Sequence, residues 1–465
     1  MRFLYGLGLS AEGIKNNAFN LFLLFYYQQV AHLSAVLTGL ALFIALCVDA
    51  ITDPLVGAWS DGFSSRYGRR HPFMYAASIP LGICFFATFN PPSGMSDAAL
   101  FSWLLLFACG TRFAMTLFVI PHQSLVAELS DDYDQRTRLQ SGRTVFAWLF
   151  GLLNALLAYT VFLKATDEYP YDPAGFPAFA LWGAAVMVIT TALSSVGTQR
   201  AALAAGLDPR VTKRVRMRDL YGEIREALRS SNYRTAITGG LLGAVTFGMT
   251  ETLGTYMNLY FWGFKAQELA VFILVIALAS LIVLAAAPRL ASRFGKGRVA
   301  TLAALIAGCV TPTMVALKIV GVLPPAGDPA LLKLLCVAVF IGYSAVIVGF
   351  VMIGAMIADI TDEHELRTGA RQEGLLFAAM TLIAKAASGL APLLAGIVIH
   401  LADFPEDARP GAVDPTAIRN LGVFAATFTL VVSILATLAY SRYRLTREGH
   451  NEILARLRRL RSAAA

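Results

Sequence analysis

Apolar residues run along this chain in blocks of about twenty, separated by short polar stretches. The blocks fall near 11–32, 36–59, 73–91, 99–127, 142–163, 177–198, 236–262, 267–288, 298–320, 331–358, 373–400 and 418–441. A run of that length with few charges spans a bilayer as a helix, because in hydrocarbon each backbone N–H and C=O needs a partner within its own segment. The pattern predicts an all-α polytopic membrane protein of about twelve transmembrane helices.

Composition supports this. Of 465 residues, 57% are hydrophobic and 15% charged, where soluble domains carry roughly 25% charge. The net charge of +8 alone would suit a nucleic-acid partner, but its placement argues otherwise. Arg66, Arg69 and Arg70 follow the second span, and Arg136 and Arg138 the fourth. Arg289, Arg293, Lys296 and Arg298 follow the eighth, and Arg367 and Arg371 the tenth. The segment 199–235 and the tail after Tyr440 are rich in arginine, whereas 33–35 and 92–98 carry no lysine or arginine. Such an excess marks the cytoplasmic side, so both termini and the long linker are expected there, with the tail in reach of anionic lipid. No nucleic-acid partner is expected. The start lacks a secretory signal pattern. The five cysteines all lie in apolar runs and read as packing residues, with neither metal-ligand nor disulfide spacing. No phosphate-binding glycine motif or nucleophile–base arrangement stands out, so neither an ATP-driven pump nor an enzyme is expected, and no cofactor.

The chain also repeats itself. Ala127-Glu-Leu-Ser-Asp-Asp-Tyr-Asp-Gln-Arg-Thr137 is echoed by Ala358-Asp-Ile-Thr-Asp-Glu-His-Glu-Leu-Arg-Thr368, and Ser65-Arg-Tyr-Gly-Arg69 by Ser292-Arg-Phe-Gly-Lys296. Both echoes lie about half a chain apart and join corresponding spans. They predict two six-helix halves in parallel orientation, 1–198 and 236–441, with a basic linker 199–235 and a basic tail 442–465. This is a transporter layout, with the binding site near the midplane between the halves.

The candidate chemistry centres on Asp49 to Pro72, where an apolar run carrying Asp49 and Asp53 gives way to a tight basic loop. An intramembrane carboxylate is costly and marks a functional site by default. Two of them four residues apart share one helix face. Asp49, Thr52 and Asp53 offer oxygen ligands for a small cation, and Thr116 can add a hydroxyl from the fourth span. The plain alternative is that the acids pair with a buried Arg or Lys and only hold helices together. Lys15, Arg143 and Lys385 are candidate buried cations, though Arg143 lies near enough to a span end to reach the surface. His122 and Gln123 follow Pro121 and are expected to face a cavity, and Glu251 is a candidate second proton site or gate. Asp61, Arg66, Arg69, Glu128, Arg136, Asp359, Arg367 and Arg371 crowd the cytoplasmic helix ends and read as salt-bridge gates.

These motifs together resemble the glycoside–pentoside–hexuronide:cation symporter family of the major facilitator superfamily, the family of the melibiose permease. They are Asp49-Ala-Ile-Thr-Asp53-Pro54, Arg66-Tyr-Gly-Arg69, Ile120-Pro121-His122, Ala127-Glu128-Leu129 through Arg136-Thr137-Arg138, and Ala358-Asp359 through Gly374. The resemblance covers nearly the whole chain and implies a cation site at Asp49, Thr52, Asp53 and Thr116. It also implies a substrate site drawn from Lys15, Asn16, Val119, His122, Gln123, Arg143, Phe350 and Lys385. The departures narrow the substrate. Asn16 and Val119 stand where the melibiose permease has aspartates, and Gln123 where it has a tryptophan. A pocket that loses acids and keeps bases favours an anion. The expectation is a secondary active symporter, coupled to Na+ or H+, carrying a small anionic glycoside or uronide. A lysophospholipid carrier and a non-transporting sensor are the alternatives. A bacterial inner-membrane location and a monomer are expected. The choice between Na+, held at Asp49 and Asp53, and H+ stays open, because an acid pair can share a proton as readily as it binds a metal.

Overall fold

A computed structural model describes residues 2–63, 65–129, 133–166, 169–204, 226–368, 373–409 and 412–464. The described chain is helical, as the apolar runs require. The first run is broken: α1 (Arg2–Leu7), α2 (Ser10–Ala18), a π-helical turn at Phe19–Leu23, then α3 (Leu24–Gln29). Next come α4 (Ala35–Gly62), α5 (His71–Thr88), α6 (Asp97–Leu129), α7 (Tyr133–Leu157) and α8 (Phe176–Ala204). Later helices span Ser231–Tyr256, Ala266–Phe294, Lys296–Ile319, Pro329–Thr368, Glu373–Leu401 and Pro415–Tyr440, and a tail helix runs Arg447–Ala464. Among the described residues, eight helices are long and apolar enough to cross a membrane. Leu281 and Leu284 are 68% and 67% exposed, an outward apolar face that suits lipid rather than water.

Several helices outrun their apolar blocks. The run expected at 331–358 is part of a helix that continues through Asp359 to Thr368. Hydropathy ends at the bilayer, whereas backbone hydrogen bonding continues into water. The tail, read from the sequence only as arginine-rich, forms a helix.

The chain makes two compact units, one of Met1–Val211, Glu251–Ile273 and Pro392–Leu421, the other of Thr212–Thr250, Leu274–Ala391 and Gly422–Ala465. In the first unit α4 packs on α6, and α5 on α6 and α8. Gly13 of α2 touches α7 so closely that a Cβ there would stand 2.0 Å from the Ala147 carbonyl oxygen; small residues allow such approach between membrane helices. One end of this unit is closed by polar contacts. Gln28 and Gln29 Nε2 donate to the Pro405 carbonyl at 2.9 and 2.8 Å. Tyr260 Oη donates to the Ala408 carbonyl at 3.0 Å, and Ala408 N–H to Gln29 Oε1 at 3.0 Å.

In the second unit, Tyr233, Ala236, Ala300, Met356 and Ile360 share a core with Tyr440. The sequence echo reappears in the backbone: Gly68 and Gly295, the glycines of the two short motifs, both adopt positive φ, +91° and +85°, a region open to glycine without steric cost.

Candidate cation and substrate site

The acid pair lies where α4 faces α6. Asp49 is 5% exposed and Asp53 half-buried, one turn apart on α4. Pro54 follows Asp53 inside the helix; lacking an N–H, it leaves the Ala50 carbonyl without its helical donor. From α6 the buried Thr116 Oγ1 lies 2.9 Å from Asp49 Oδ1 and 2.8 Å from Asp53 Oδ1. A hydroxyl has one proton, which these two carboxylates share. The donor set, two carboxylates and a hydroxyl, suits a small hard cation. Among the described residues no group of three or more His, Cys, Asp or Glu is placed to hold a metal ion.

Thr52 does not join them in the way its spacing suggested. Its hydroxyl turns back to donate to the Asp49 backbone carbonyl at 3.2 Å, the usual resort of a threonine inside a helix. The residue that does join is Arg112. Its Nη1 lies 3.5 Å from Asp49 Oδ2, with the side chain 12% exposed. The guanidinium sits over the Phe19 ring at 5.8 Å, on the π-helical turn of the first run, and its buried Nε has no hydrogen-bond partner. Arg112 is four residues from Thr116 on one face of α6, so α6 presents both groups to α4. The sequence carried the signal, an arginine inside the apolar run 99–127, but only the fold shows which acid it meets.

The substrate candidates separate. Lys15 and Arg143 are buried, at 7% and 2% exposed. Arg143 does not reach the surface: Nη1 donates to Gln140 Oε1 at 3.1 Å, the guanidinium lies 5.9 Å from the Tyr5 ring centroid, and Nε has no partner. Asn16 and Gln123 are exposed and Val119 is half-buried. His122, expected to face a cavity, is instead fully buried, stacked between Tyr5 at 4.3 Å and Phe118 at 5.0 Å. Its Nε2 lies 3.0 Å from the Tyr5 carbonyl and 3.2 Å from Ser194 Oγ. Packing of α1, α6 and α8 explains it, because an imidazole offers two flat faces to aromatic rings and an edge to polar groups. In the second unit Lys385 is half-buried, while Phe350 is 44% exposed and meets Phe247 edge-on at 5.6 Å.

The charged helix ends carry several ion pairs. Asp359 takes Lys296 Nζ on both carboxylate oxygens at 2.7 Å, and His450 Nε2 of the tail helix lies 3.6 Å away. His450 also meets Asp362 at 3.0 Å. Burial and the nearby Asp359 and Glu363 push the Tyr443 hydroxyl well above its ordinary pKa. Arg367 pairs with Glu226, at 2.8 Å to its carbonyl and 3.5 Å to its carboxylate. Arg66 is exposed and rests on the neighbouring Tyr67 ring, and Arg69 is half-buried. Glu251 is half-buried too. Arg371 lies outside the described residues, and of Asp61, Glu128 and Arg136 only the helical backbone is described.

Residues 4–447 match the family model described as MFS/sugar transport protein. The chain belongs to that family. A match to an uncharacterized symporter of Synechocystis is 32% identical over 37% of this chain and 32% of that protein. The isoprimeverose transporter of Lactiplantibacillus pentosus is 23% identical over 94% of this chain and 88% of its own length. The sodium-dependent lysophosphatidylcholine symporter 1-B of Danio rerio is 22% identical over 97% of this chain and 88% of its own. Among solved structures, a D-xylose-proton symporter superposes with a TM-score of 0.64 at 16% identity, covering 96% of this chain and 98% of the other. At that identity the likeness speaks for the fold alone: this is an all-α integral membrane protein of the major facilitator fold, with about twelve helices in two six-helix halves.

Proposed function

We propose that this protein is a cation-coupled symporter for a small anionic glycoside or uronide, working by alternating access. The observation that carries the reading is the Thr116 hydroxyl set against two intramembrane carboxylates at 2.9 and 2.8 Å, a donor set fit for Na+. Asp49 and Asp53 hold the coupling ion, Na+ or H+, with Thr116 between them. Lys15 and Arg143 supply positive charge for the substrate anion, and Arg143 has a buried donor to offer it. Asn16 and Val119 leave that charge without the acids a neutral sugar would use. Occupancy of each site lowers the cost of the other's buried charge, which couples the two. Both termini are cytoplasmic, a single copy is the working unit, no cofactor takes part, and the protein neither catalyses a reaction nor binds nucleic acid.

A melting panel on purified protein tests this, since a ligand of the folded state raises apparent stability. A glucuronide is expected to stabilise, and more so with sodium or at acid pH, while a neutral galactoside does little. The near-full-length similarity to a lysophosphatidylcholine symporter favours a second reading, a lysophospholipid substrate. A response confined to lysophosphatidylcholine would transfer the substrate site to that reading and make Lys385 the head-group candidate.

A further inference from the structure

We propose that the end of the tail helix, Arg447–Ala464, is a membrane-surface contact, where an apolar stripe flanked by arginines lies against anionic lipid headgroups. Neither the substrate nor the coupling ion enters into it. Helical periodicity puts His450, Ile453, Leu454, Leu457 and Leu460 on one face. The first part of that face is docked. His450 Nε2 lies 3.0 Å from Asp362 and 3.6 Å from Asp359, and just before the helix the Arg444 N–H donates to Asn232 Oδ1 at 3.1 Å. Leu457 is 5% exposed, whereas Leu460, one turn on, is 59% exposed. The stripe outruns its protein cover. Arg456 and Arg458, both exposed, stand about 100° to either side of Leu457. No acid follows Glu452, so every ionisable side chain beyond it is an arginine.

Two observations put this end at a bilayer surface. The docking partners mark the depth: the apolar block of the helix Pro329–Thr368 stops at 358, and Asp359 is the first residue past it. The tether is short, since residues 441–446 join the end of the last span at Tyr440 to the start of the tail helix, and six residues reach about 20 Å at most. A helix held at that depth, with an apolar stripe between cationic side chains, has the make-up of an interfacial helix. Its arginine stems lie along the apolar boundary while the guanidinium groups meet phosphate oxygens. The headgroups it fits are anionic, because basic residues beside a span are drawn to a negatively charged surface.

The test places the purified full chain in nanodiscs of phosphatidylcholine, alone or mixed with phosphatidylglycerol, and labels Leu460→Cys with an uncharged maleimide. The five native cysteines are changed to alanine; should that chain not fold, wild type labelled in parallel serves as the blank. Labelling is expected to slow about tenfold when phosphatidylglycerol is present. High salt should remove the slowing, and so should Arg456→Gln combined with Arg458→Gln. Glu448→Cys, on the opposite face of the helix, should label alike in both lipids. Equal rates for Leu460→Cys in the two lipids overturn the proposal, as does a slowing that survives the double variant or extends to Glu448→Cys.

Discussion

Residue by residue, the candidate cation site was partly legible before any coordinates. The spacing of Asp49 and Asp53 in an apolar run, with Thr116 on a second span, is enough to place them together, and the structure sets Thr116 against both acids. Thr52 reads the same way in the sequence, yet its hydroxyl is engaged by its own helix, a local competition that spacing does not reveal. Arg112 illustrates the opposite failure. Its partner lies 63 positions away, so no helical spacing joins them. A direct consequence concerns Thr116. Thr116→Ser keeps the hydroxyl and should preserve the cation-dependent rise in melting midpoint. Thr116→Val keeps the shape, removes the oxygen, and should weaken cation affinity about tenfold, since a hydrogen bond to a charged group contributes roughly 1.5–3 kcal/mol. Lys296 makes a separate case. Lys296→Met leaves the 8%-exposed Asp359 without its 2.7 Å partner and should cost about 1–2 kcal/mol, the partly exposed pair lying between surface and buried values. Calorimetry of the purified protein would show it as a lower melting midpoint, and addition of sodium should not restore it.

Helices were legible as blocks and illegible at their ends. The pattern of apolar runs reports where the chain meets lipid, which is why Pro329–Thr368 overshoots its block and why the breaks within residues 2–29 leave no mark in hydropathy. Close packing between helices is likewise set by a few small residues whose role depends on the neighbour. Gly13 meets the Ala147 carbonyl and has no room for a methyl group, whereas Gly142, also helical, would meet nothing within 4 Å. Gly13→Ala should therefore destabilise the first unit by about 1–3 kcal/mol, and Gly142→Ala should be close to neutral or slightly stabilising. Melting curves of the two variants side by side make the comparison, and equal effects would mean that α2 and α7 are less closely packed than described.

At the scale of the whole molecule, the repeated motifs made the two-half organisation visible, down to the matching positive-φ glycines at 68 and 295. They gave no hint that 251–273 and 392–421 pack in the same unit as the start of the chain. The reason is particular: Gln28 and Gln29 are bonded to 405–408, and Tyr260 closes the set. These polar contacts are exchangeable, as a gate needs, and a helical repeat does not encode them. In a Leu33→Cys background, where the fully buried residue reports on access, Gln29→Ala should speed thiol labelling, and an unchanged rate would show that the contacts do not hold this end shut. The central claim, that the acid pair couples a cation to an anionic substrate, is tested most directly by titrating a glucuronide against purified protein while sodium and pH are varied, in wild type and in Asp53→Asn. The account predicts cation-dependent affinity in wild type and a cation-independent, weaker affinity in the variant. Glucuronide binding that ignores both ions in wild type, or that keeps its cation dependence in Asp53→Asn, would contradict it.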